Sequence, residues 1–323
     1  MTLRLKTLDL FCGAGGFSQG LSKVPEIEIV AGIDFWDRAI ETYSQNQNHI
    51  GLCKDLTEFS PEDFSELTGI KKIDLIIAAP PCQSFSIAGT RKLDDPRNSL
   101  FMEFVKYIEY FKPKAFMMEN VVGILSKKTA DNELVVDLIM QELTKYYNVK
   151  HFKLLASDFG VPQNRKRVIF FGFLKELKVD ITCPISILSK DNHIAVETIL
   201  EKKKDIDLKQ FLSEKAILGI KNRKIAMEKK NFGFGAQFLD LKKPSYTISC
   251  RYWKDGSDAL VKYSETEIRR LTLIELKRIQ TFPDNYDFAG SKKETTIQIG
   301  NAVACKFAYH LGLYIAEKLE MQN

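Results

Sequence analysis

The feature that most constrains the fold is an alternation of short apolar runs with amphipathic stretches in the first half of the 323-residue chain. The runs are LKTLDLF, EIEIVAGID, HIGLCKD, KIDLIIAAP, KAFMMEN, VKHFKLLAS and RVIFFGF. Because such alternation is typical of βαβ units, the sequence predicts a largely parallel sheet with helices on both faces. One crossover helix is predicted within Asn132 to Tyr147, where four apolar residues recur at helical spacing: Leu134, Leu138, Ile139 and Leu143.

The second half of the chain has a different pattern. Beyond about Leu174 the sequence becomes lysine-rich and weakly periodic, which predicts a separate, smaller and more irregular module. The final segment, Thr295 to Leu319, contains a Gly-Asn turn followed by an apolar helix, and we expect it to return and complete the first domain. The apolar residues of that helix are Val303, Phe307, Leu311 and Ile315. We therefore predict a first domain at 1–193 plus 295–323 and a second at 194–294.

Composition excludes several classes of protein. Forty-seven Lys and Arg against 42 Asp and Glu give a formal net charge of +5, which suits an anionic partner but equally fits a solvated basic surface. No apolar run reaches the length of a bilayer span, and the first residues lack the pattern of a signal peptide. We expect a soluble, cytoplasmic protein with no membrane partner. The six cysteines include no C-x-x-C pair and no nearby His, so neither a disulfide framework nor a metal site is expected.

The first three predicted strands end in residues that can contact an adenosine group. Phe11 to Gly16, FCGAGG, follows the first strand, and its glycines let the backbone pass close to a ligand. Asp34 ends the second strand, where a carboxylate can accept ribose hydroxyls and Phe35 or Trp36 can cover an adenine. Asp55 ends the third and can accept the adenine amino hydrogens, with a helix N-cap as the alternative. Together they predict an adenosine-bearing cofactor and leave NAD and S-adenosylmethionine both open.

The fourth run is followed by Pro80, Pro81 and Cys82. Two prolines stiffen the backbone and present one thiol at the rim of the same cleft, which favours a thiolate nucleophile over a buried structural cysteine. The next segment, SFSIAGTRKLDDPRNSL, is rich in hydroxyl and basic groups. We interpret it as a mobile loop able to close over a phosphate backbone.

Charged side chains follow the fifth and sixth runs. Glu119 emerges from apolar KAFMM and is a candidate proton donor, with a carboxylate satisfied by backbone amides as the alternative. Arg165 and Arg167 lie two residues apart on a segment that we expect to be extended, where residues at this spacing share one face. Both are therefore expected to point into the cleft, with a solvated basic turn as the alternative.

Taken in order, these motifs resemble those of one enzyme family. DLFCGAGG, PPCQSFS, ENV, QNRKRV, RRLTLIELKRIQTFPDNY and IQIGNAV occur in the order of the cytosine-5 DNA methyltransferases of bacterial restriction-modification type. The resemblance spans nearly the whole chain. It implies the Rossmann-like α/β fold of S-adenosylmethionine-dependent methyltransferases, with a mixed, mostly parallel seven-stranded sheet. It also implies that 1–193 plus 295–323 is the catalytic and cofactor-binding domain and 194–294 the irregular target recognition domain with its hinge.

The resemblance gives each candidate catalytic residue a role. Cys82 would attack C6 of a flipped cytosine, because C5 is not nucleophilic enough to take a methyl group until the ring becomes an enamine-like adduct. Glu119 would hold N3 and the exocyclic amine, and Arg165 would bind O2, so that both drain charge from the ring. Arg167 resembles a supporting residue of the same pocket.

The resemblance also resolves the cofactor as S-adenosylmethionine, with S-adenosylhomocysteine as its product, and it favours Phe35 over Trp36 for stacking. The implied cofactor contacts are Phe11, Gly13, Ala14, Gly15, Gly16, Asp34, Phe35, Asp55, Leu56, Pro81, Asn301 and Val303.

Double-stranded DNA is the implied partner. Ser84, Ser86 and Arg97 match phosphate-contacting positions of the closing loop, and Thr247 and Arg251 are the candidates for DNA contact in the recognition domain. Since the chain carries no appended reader domain, we expect a monomeric, nucleoid-associated bacterial enzyme, with a cognate restriction endonuclease as a separate chain. Two alternatives stay open: a relative that methylates cytosine-5 in tRNA, and a catalytically inactive DNA-binding homologue.

Overall fold

The computed structural model describes residues 4–81, 99–129, 132–228, 237–255 and 259–321, and for residues 99, 223–228 and 255 it describes the backbone alone. The chain divides into two compact units. The first, called the sheet unit here, comprises Met1–Leu155, Lys166–Ile185 and Phe307–Asn323. The second unit comprises Ala156–Arg165 and Ser186–Lys306.

A seven-stranded sheet forms the centre of the sheet unit. Its strands are β1 (Leu5–Leu10), β2 (Ile27–Asp34), β3 (Ile50–Cys53), β4 (Leu75–Ala78), β5 (Ala115–Val121), β6 (Tyr147–Leu155) and β7 (Lys166–Leu174). They are ordered β3-β2-β1-β4-β5-β7-β6, with β7 antiparallel to both of its neighbours and the other pairs parallel. The predicted fold class, α/β with a mixed and mostly parallel seven-stranded sheet, is confirmed.

The described residues form ten α-helices. They are α1 (Gly16–Leu21), α2 (Asp37–Asn46), α3 (Pro61–Thr68), α4 (Ser99–Phe111), α5 (Val135–Leu143), α6 (Glu214–Glu228), α7 (Tyr252–Asp255), α8 (Leu273–Ile279), α9 (Lys292–Asn301) and α10 (Cys305–Glu320). Within the described ranges, none of the helices combines the length and the apolar character that crossing a membrane requires.

The predicted crossover helix exists but is shorter than expected. It is α5, whose N-cap is Leu134, and Leu138 is exposed rather than buried. The apolar face is instead set by residues at i, i+4 and i+8 counted from the first helical residue. The side chains that α5 buries are Val135, Val136, Ile139 and Leu143.

The central strands are buried on both faces. All four residues of β4 are buried, and so are the first six of β5. A strand covered on both faces is a continuous apolar run, which explains LIIA and AFMM. The polar residues of β5, Glu119 and Asn120, lie just before its last residue, Val121, and both are buried. In an open parallel sheet, ligands bind beyond the carboxyl ends of the strands, so these buried polar residues lie where a site is expected.

The second unit is irregular, as predicted. Its only described strands are β8 (Leu260–Lys262) and β9 (Ile268–Arg270), which form an antiparallel pair. Short 3-10 helices supply much of the remaining regular backbone: Ala156–Phe159, Lys190–Asn192, Val196–Ile199, Lys203–Asp205 and Leu208–Gln210. Arg269 and Glu275 form a fully buried ion pair, with Nη1 and Oε2 2.7 Å apart. Glu275 also completes a capping box with Thr272 at the start of α8.

The two units differ in extent from the two predicted domains. Residues 156–165, 186–193 and 295–306 belong to the second unit rather than to the sheet unit. For 295–306 the reason is that α9 packs against α7 and α8. From Phe307 onward, α10 belongs to the sheet unit and buries Leu311 and Ile315, as the returning segment was expected to do. The functional boundaries at 193, 194 and 295 stay a prediction.

Candidate active site

The FCGAGG segment forms a tight turn between β1 and α1. Phe11 has a φ of 56°, Gly13 of 52° and Gly15 of 82°, all in the left-handed region that glycine adopts most easily. Gly15 is the N-cap of α1. A Cβ built on Gly13 would meet nothing within 4 Å among the described residues, so space for a ligand lies beside this backbone. A non-glycine residue at positive φ, as at Phe11, is a strain typical of functional sites.

Asp34, the last residue of β2, holds this turn. Its Oδ2 accepts a hydrogen bond from the Gly13 amide and its Oδ1 one from the Trp36 amide, each at 2.9 Å. Burial raises the pKa of the Asp34 carboxyl, and the amide hydrogen bonds oppose that rise. Phe35, the next residue, is 72% exposed. The carboxyl end of β2 therefore presents a carboxylate to the turn and an aromatic ring to solvent.

Asp55 lies beyond β3 and is exposed. Its Oδ1 accepts hydrogen bonds from the amide and the hydroxyl of Thr57, at 2.9 and 2.8 Å. The N-cap of α3 is Ser60, so the helix-cap alternative for Asp55 is wrong. Leu56, the other predicted cofactor contact here, is 3% exposed and belongs to the core.

The carboxyl ends of β4 and β5 are tied together by a side chain. Asn120 is buried, and its Nδ2 donates a hydrogen bond to the Pro80 carbonyl at 3.2 Å. Pro81 is exposed. Asn120 thus fixes the backbone just ahead of residue 82. Four predicted site residues lie outside the described residues: Cys82, Ser84, Ser86 and Arg97.

Glu119 and Arg167 form an ion pair between β5 and β7. Arg167 Nε lies 2.6 Å from Glu119 Oε1, and both side chains are largely buried. Arg167 is in register with Val121, which places it diagonally across from Glu119 on the same face of the sheet. The contact is not aligned as a hydrogen bond, and Oε1 has no hydrogen-bond partner among the described residues. The carboxylate thus combines a nearby positive charge with remaining capacity to bind a ligand.

Arg165 has different partners. It is 3% exposed, and its Nη1 donates to the carbonyl oxygens of Ile248 and Gly300 at 3.2 Å each, within the second unit. We expected Arg165 and Arg167 to share a face. The alternation rule does not extend to this pair, because β7 begins at Lys166 and Arg165 precedes it.

The remaining candidates also lie in the second unit. The Thr247 hydroxyl donates to the Asn164 carbonyl at 2.9 Å, and the Asn164 amide donates to the Ser245 carbonyl at 2.8 Å. The segment that carries Thr247 is therefore bonded to the segment that carries Arg165. Arg251 is exposed. Asn301, at the end of α9, is exposed as well, whereas Val303 is buried.

Comparison with known proteins identifies the family to which the chain belongs. The family model for C-5 cytosine-specific DNA methylase matches residues 5–317 of the chain. The chain belongs to this family. Type II methyltransferase M.NlaX of Neisseria lactamica is 33% identical over 302 residues, which cover 92% of each chain. Type II methyltransferase M.DdeI of Desulfomicrobium norvegicum is 40% identical over 198 residues, or 60% of this chain and 47% of that one.

A solved structure agrees with the fold of this methylase. It is that of a DNA modification methyltransferase encoded within a prophage (E. coli), with a TM-score of 0.75 over 98% of this chain and 99% of that one. At 24% identity the likeness supports the fold alone. The predicted family, fold class and enzyme class are confirmed.

In the methylase, four adjacent strands bring most predicted residues of the sheet unit to one edge. The glycine turn follows β1, Asp34 ends β2, Pro81 follows β4 and Glu119 lies near the end of β5. Because these strands are parallel, their carboxyl ends meet. Five predicted residues belong instead to the second unit: Arg165, Thr247, Arg251, Asn301 and Val303.

Two polar residues of the methylase motifs received no role from sequence reasoning. Asn120 holds Pro80, as described above. Gln163 is fully buried, donates to Gln280 Oε1 at 2.9 Å and accepts from the Ile248 amide at 2.9 Å. A signal for both existed, since each stands in a quoted motif, ENV or QNRKRV. Their hydrogen-bond partners are distant in sequence, so their roles were not readable from spacing.

Proposed function

We propose that the chain transfers a methyl group from S-adenosylmethionine to C5 of a cytosine within a specific sequence of duplex DNA. The observation that carries this proposal is the Glu119–Arg167 pair at the end of β5, next to the Asn120-held backbone that leads to residue 82. A carboxyl beside a guanidinium suits a base whose ring must be protonated on one atom and held at its neighbours. Membership of the C-5 cytosine-specific methylase family supplies the reaction class.

In the proposed reaction the Cys82 thiolate attacks C6 of the flipped cytosine. A sulfur–carbon bond forms, the C5–C6 double bond opens, and electron density moves toward N3 and C5. Glu119 shares its proton with N3 and holds the exocyclic amine, which limits the charge that accumulates on the ring. C5 is then nucleophilic enough to take a methyl group. Loss of the C5 proton to a base restores the double bond and expels the Cys82 thiolate, which regenerates the enzyme.

Of the two arginines, we propose Arg167 as the ligand of O2. In cytosine, O2 is bonded to C2, the ring atom next to N3. A donor to O2 should therefore lie beside Glu119, which binds N3, and Arg167 contacts Glu119. Arg165 instead joins its segment to Ile248 and Gly300, and we propose that it positions the start of β7. This exchanges the roles that the family resemblance alone implied.

The residues at the carboxyl ends of β1 and β2 fit S-adenosylmethionine, which supplies an electrophilic methyl group when bound. Gly13 leaves open space beside the turn, and the exposed Phe35 ring can cover an adenine. A carboxylate offers about four acceptor sites, so Asp34 can bind ribose hydroxyls in addition to the amides that it already holds. Asp55, Leu56 and Pro81 would complete the contacts in this unit, and Asn301 and Val303 would add those of the second.

Asp34→Ala tests this cofactor assignment. It removes both the ribose acceptor and the hydrogen bond that fixes Gly13, so S-adenosylmethionine affinity should fall by at least about tenfold in a calorimetric titration. Asp191→Ala is a matched control on an exposed carboxylate outside the proposed site, and it should leave the affinity unchanged. An unchanged affinity for Asp34→Ala would remove that residue from the cofactor site.

Double-stranded DNA is the proposed substrate, with Ser84, Ser86, Arg97, Thr247 and Arg251 as its contacts. Support comes from relatives that are named Type II methyltransferases. We propose in addition a monomer that acts alongside a separate restriction endonuclease. Bisulfite sequencing of DNA from cells that express the chain should find one methylated sequence. Transfer to tRNA but not to duplex DNA in vitro would overturn the DNA assignment and support the tRNA alternative.

A further inference from the structure

The second unit contains a cavity lined by cationic side chains, and none of these side chains has a role in the reaction proposed above. Its volume is about 270 Å³. It is bordered by α7, by the end of β9 and by the first turn of α9. The residues that matter here are Gln210, Trp253, Arg270, Lys292, Lys293 and Thr296.

The walls of this cavity are fixed by close packing. The two helices α7 and α9 are in contact. A Cβ added to Gly300, in α9, would lie 2.4 Å from the Cys250 amide nitrogen, so the backbone just before α7 packs directly on that helix. The Tyr252 hydroxyl accepts from the Leu271 amide at 2.9 Å and donates to the Ala259 carbonyl at 3.0 Å. The cavity is therefore a formed feature and not a gap between loose side chains.

The charged side chains that line the cavity are all positive. Arg270, Lys292 and Lys293 are exposed, and none of them forms an ion pair with a carboxylate that the structure describes. No acidic side chain is among the described residues that line it. Elsewhere on this unit lysines do pair with acids, for example Lys203 with Glu267 at 2.8 Å. Like charges that converge without a counter-charge repel one another, and a bound anion would relieve that repulsion.

An aromatic ring accompanies these charges. The Lys293 Nζ lies 4.4 Å from the centroid of the Trp253 ring, which is 41% exposed. The face of an indole ring attracts an ammonium group, so Trp253 holds the Lys293 cation at the edge of the cavity. Trp253 lies two residues beyond Arg251, at the start of the short helix α7, so the cavity adjoins a proposed DNA contact along the chain.

We propose that this cavity is a phosphate anchor: it binds a backbone phosphate of DNA that flanks the recognised base pairs, with Arg270, Lys292 and Lys293 as ligands. The proposal rests on duplex DNA being the substrate. Such a contact carries no sequence information, and it fixes where the strand lies relative to Thr247 and Arg251. An acidic protein segment is the other ligand that three cations would attract, and the test below separates the two.

The test compares two double variants of the full chain that lose the same charge. Lys292→Ala/Lys293→Ala removes two anchor cations, and Lys190→Ala/Lys204→Ala removes two exposed lysines elsewhere on the second unit. Binding of a duplex of about 30 base pairs is measured by fluorescence anisotropy at several salt concentrations. The slope of log K against log salt should fall by about two for the anchor variant, and affinity by roughly tenfold per lost contact near 0.1 M salt. The control should keep the wild-type slope.

Trp253→Ala separates the role of the ring from that of the charges. It removes no charge, so it should weaken binding while leaving the salt slope unchanged. Polyglutamate, titrated as a competitor, probes the alternative ligand. If the anchor variant loses polyglutamate binding and keeps the wild-type DNA slope, the cavity binds acidic protein and the phosphate anchor is wrong. An equal loss in both double variants would also overturn the anchor.

Methyl transfer by the wild-type protein distinguishes failure of the anchor from failure of the proposed function. If the wild type methylates duplex DNA and the slopes of the variants equal its own, only the anchor is wrong. If the wild type transfers no methyl group to duplex DNA, the proposed function fails whatever the slopes are.

Discussion

At the scale of single residues, the proposed chemistry depends on which arginine accompanies Glu119. Arg167 contacts its carboxylate, whereas Arg165 binds two backbone carbonyls in the second unit. We predict that Arg167→Ala lowers methyl transfer at saturating DNA and cofactor by about 10²-fold or more, because a donor to the charged ring is lost. Arg167→Lys should recover part of that loss. Steady-state transfer of a labelled methyl group measures both.

Arg165→Ala should act mainly on stability. It leaves the carbonyls of Ile248 and Gly300 without this donor, which costs about 1–3 kcal/mol for each buried acceptor that finds no other partner. Urea unfolding measures this cost. If Arg165→Ala kept wild-type stability and lost more transfer than Arg167→Ala, the O2 ligand would be Arg165 after all.

A second residue-scale prediction concerns Asp9, which lies on β1 just before the glycine turn at 11–16. It is 1% exposed and accepts a hydrogen bond from the Ser18 hydroxyl at 2.6 Å. Burial raises the pKa of the Asp9 carboxyl to about 7, against the opposing effect of the Ser18 bond. Since the folded pKa exceeds the unfolded one, ionisation of Asp9 opposes folding. The resulting loss of folding free energy is absent at low pH, grows as pH rises from about 4, and reaches its full value above about pH 7.

Asp9→Asn should therefore stabilise the protein more as pH rises. Relative to the wild type, the free energy of unfolding of the variant should increase by roughly 2–3 kcal/mol between about pH 5 and pH 8. Asn can still accept the Ser18 hydrogen bond, so the comparison isolates the charge. Urea unfolding at several pH values measures it. A constant difference between the two proteins across this range would show that Asp9 does not ionise there.

At the scale of elements, the sequence predicted where strands lie better than how they pair. Continuous apolar runs such as LIIA and RVIFFGF mark buried strands, and both are strands of the sheet. Hydrophobicity has no direction, so the antiparallel placement of β7 could not be derived from its residues, and the family resemblance implied only that the sheet is mixed. The same placement explains the site: the register of β7 on β5 determines that Arg167, not Arg165, contacts Glu119.

The assignment of α9 illustrates the same limit of local pattern. Its residues suggested a return to the first domain, yet α9 lies in the second unit. What decides this is a contact distant in sequence, where the absence of a side chain at Gly300 lets the Cys250 backbone approach. The spacing of residues along the chain cannot predict a contact between segments that are distant in sequence.

An element-scale prediction concerns the junction of β9 and α8. Arg269 and Glu275 are both fully buried and joined by two hydrogen bonds, at 2.7 and 2.8 Å. Glu275→Ala leaves the guanidinium buried without its partner, and the free energy of unfolding should fall by about 3–5 kcal/mol. The double variant Arg269→Met/Glu275→Leu removes both charges and should cost less than Glu275→Ala alone. Urea unfolding compares the two, and a double variant less stable than the single one would contradict this explanation.

At the scale of the whole molecule, the candidate residues are distributed over two units. The glycine turn at 11–16, Asp34 and the Glu119–Arg167 pair belong to the sheet unit. Arg165, Thr247, Arg251 and the proposed phosphate anchor belong to the second unit. The sequence predicted the candidates at strand ends and in motifs, but it did not point to Arg270, Lys292 and Lys293. It could not assign the candidates to units, since that depends on packing between distant segments. Nor did the mild net charge of +5 reveal that three cations without an ion-pair partner among the described residues line one cavity.

The central claim is that this methylase modifies C5 of cytosine in DNA through the Cys82 thiolate. The most direct measurement incubates the purified chain with duplex DNA and S-adenosylmethionine labelled in its methyl group, and then separates the nucleosides of the digested DNA. The claim predicts label in 5-methylcytosine and no transfer by Cys82→Ser, which should still bind the cofactor. Label in N6-methyladenine or N4-methylcytosine, or undiminished transfer by Cys82→Ser, would contradict it.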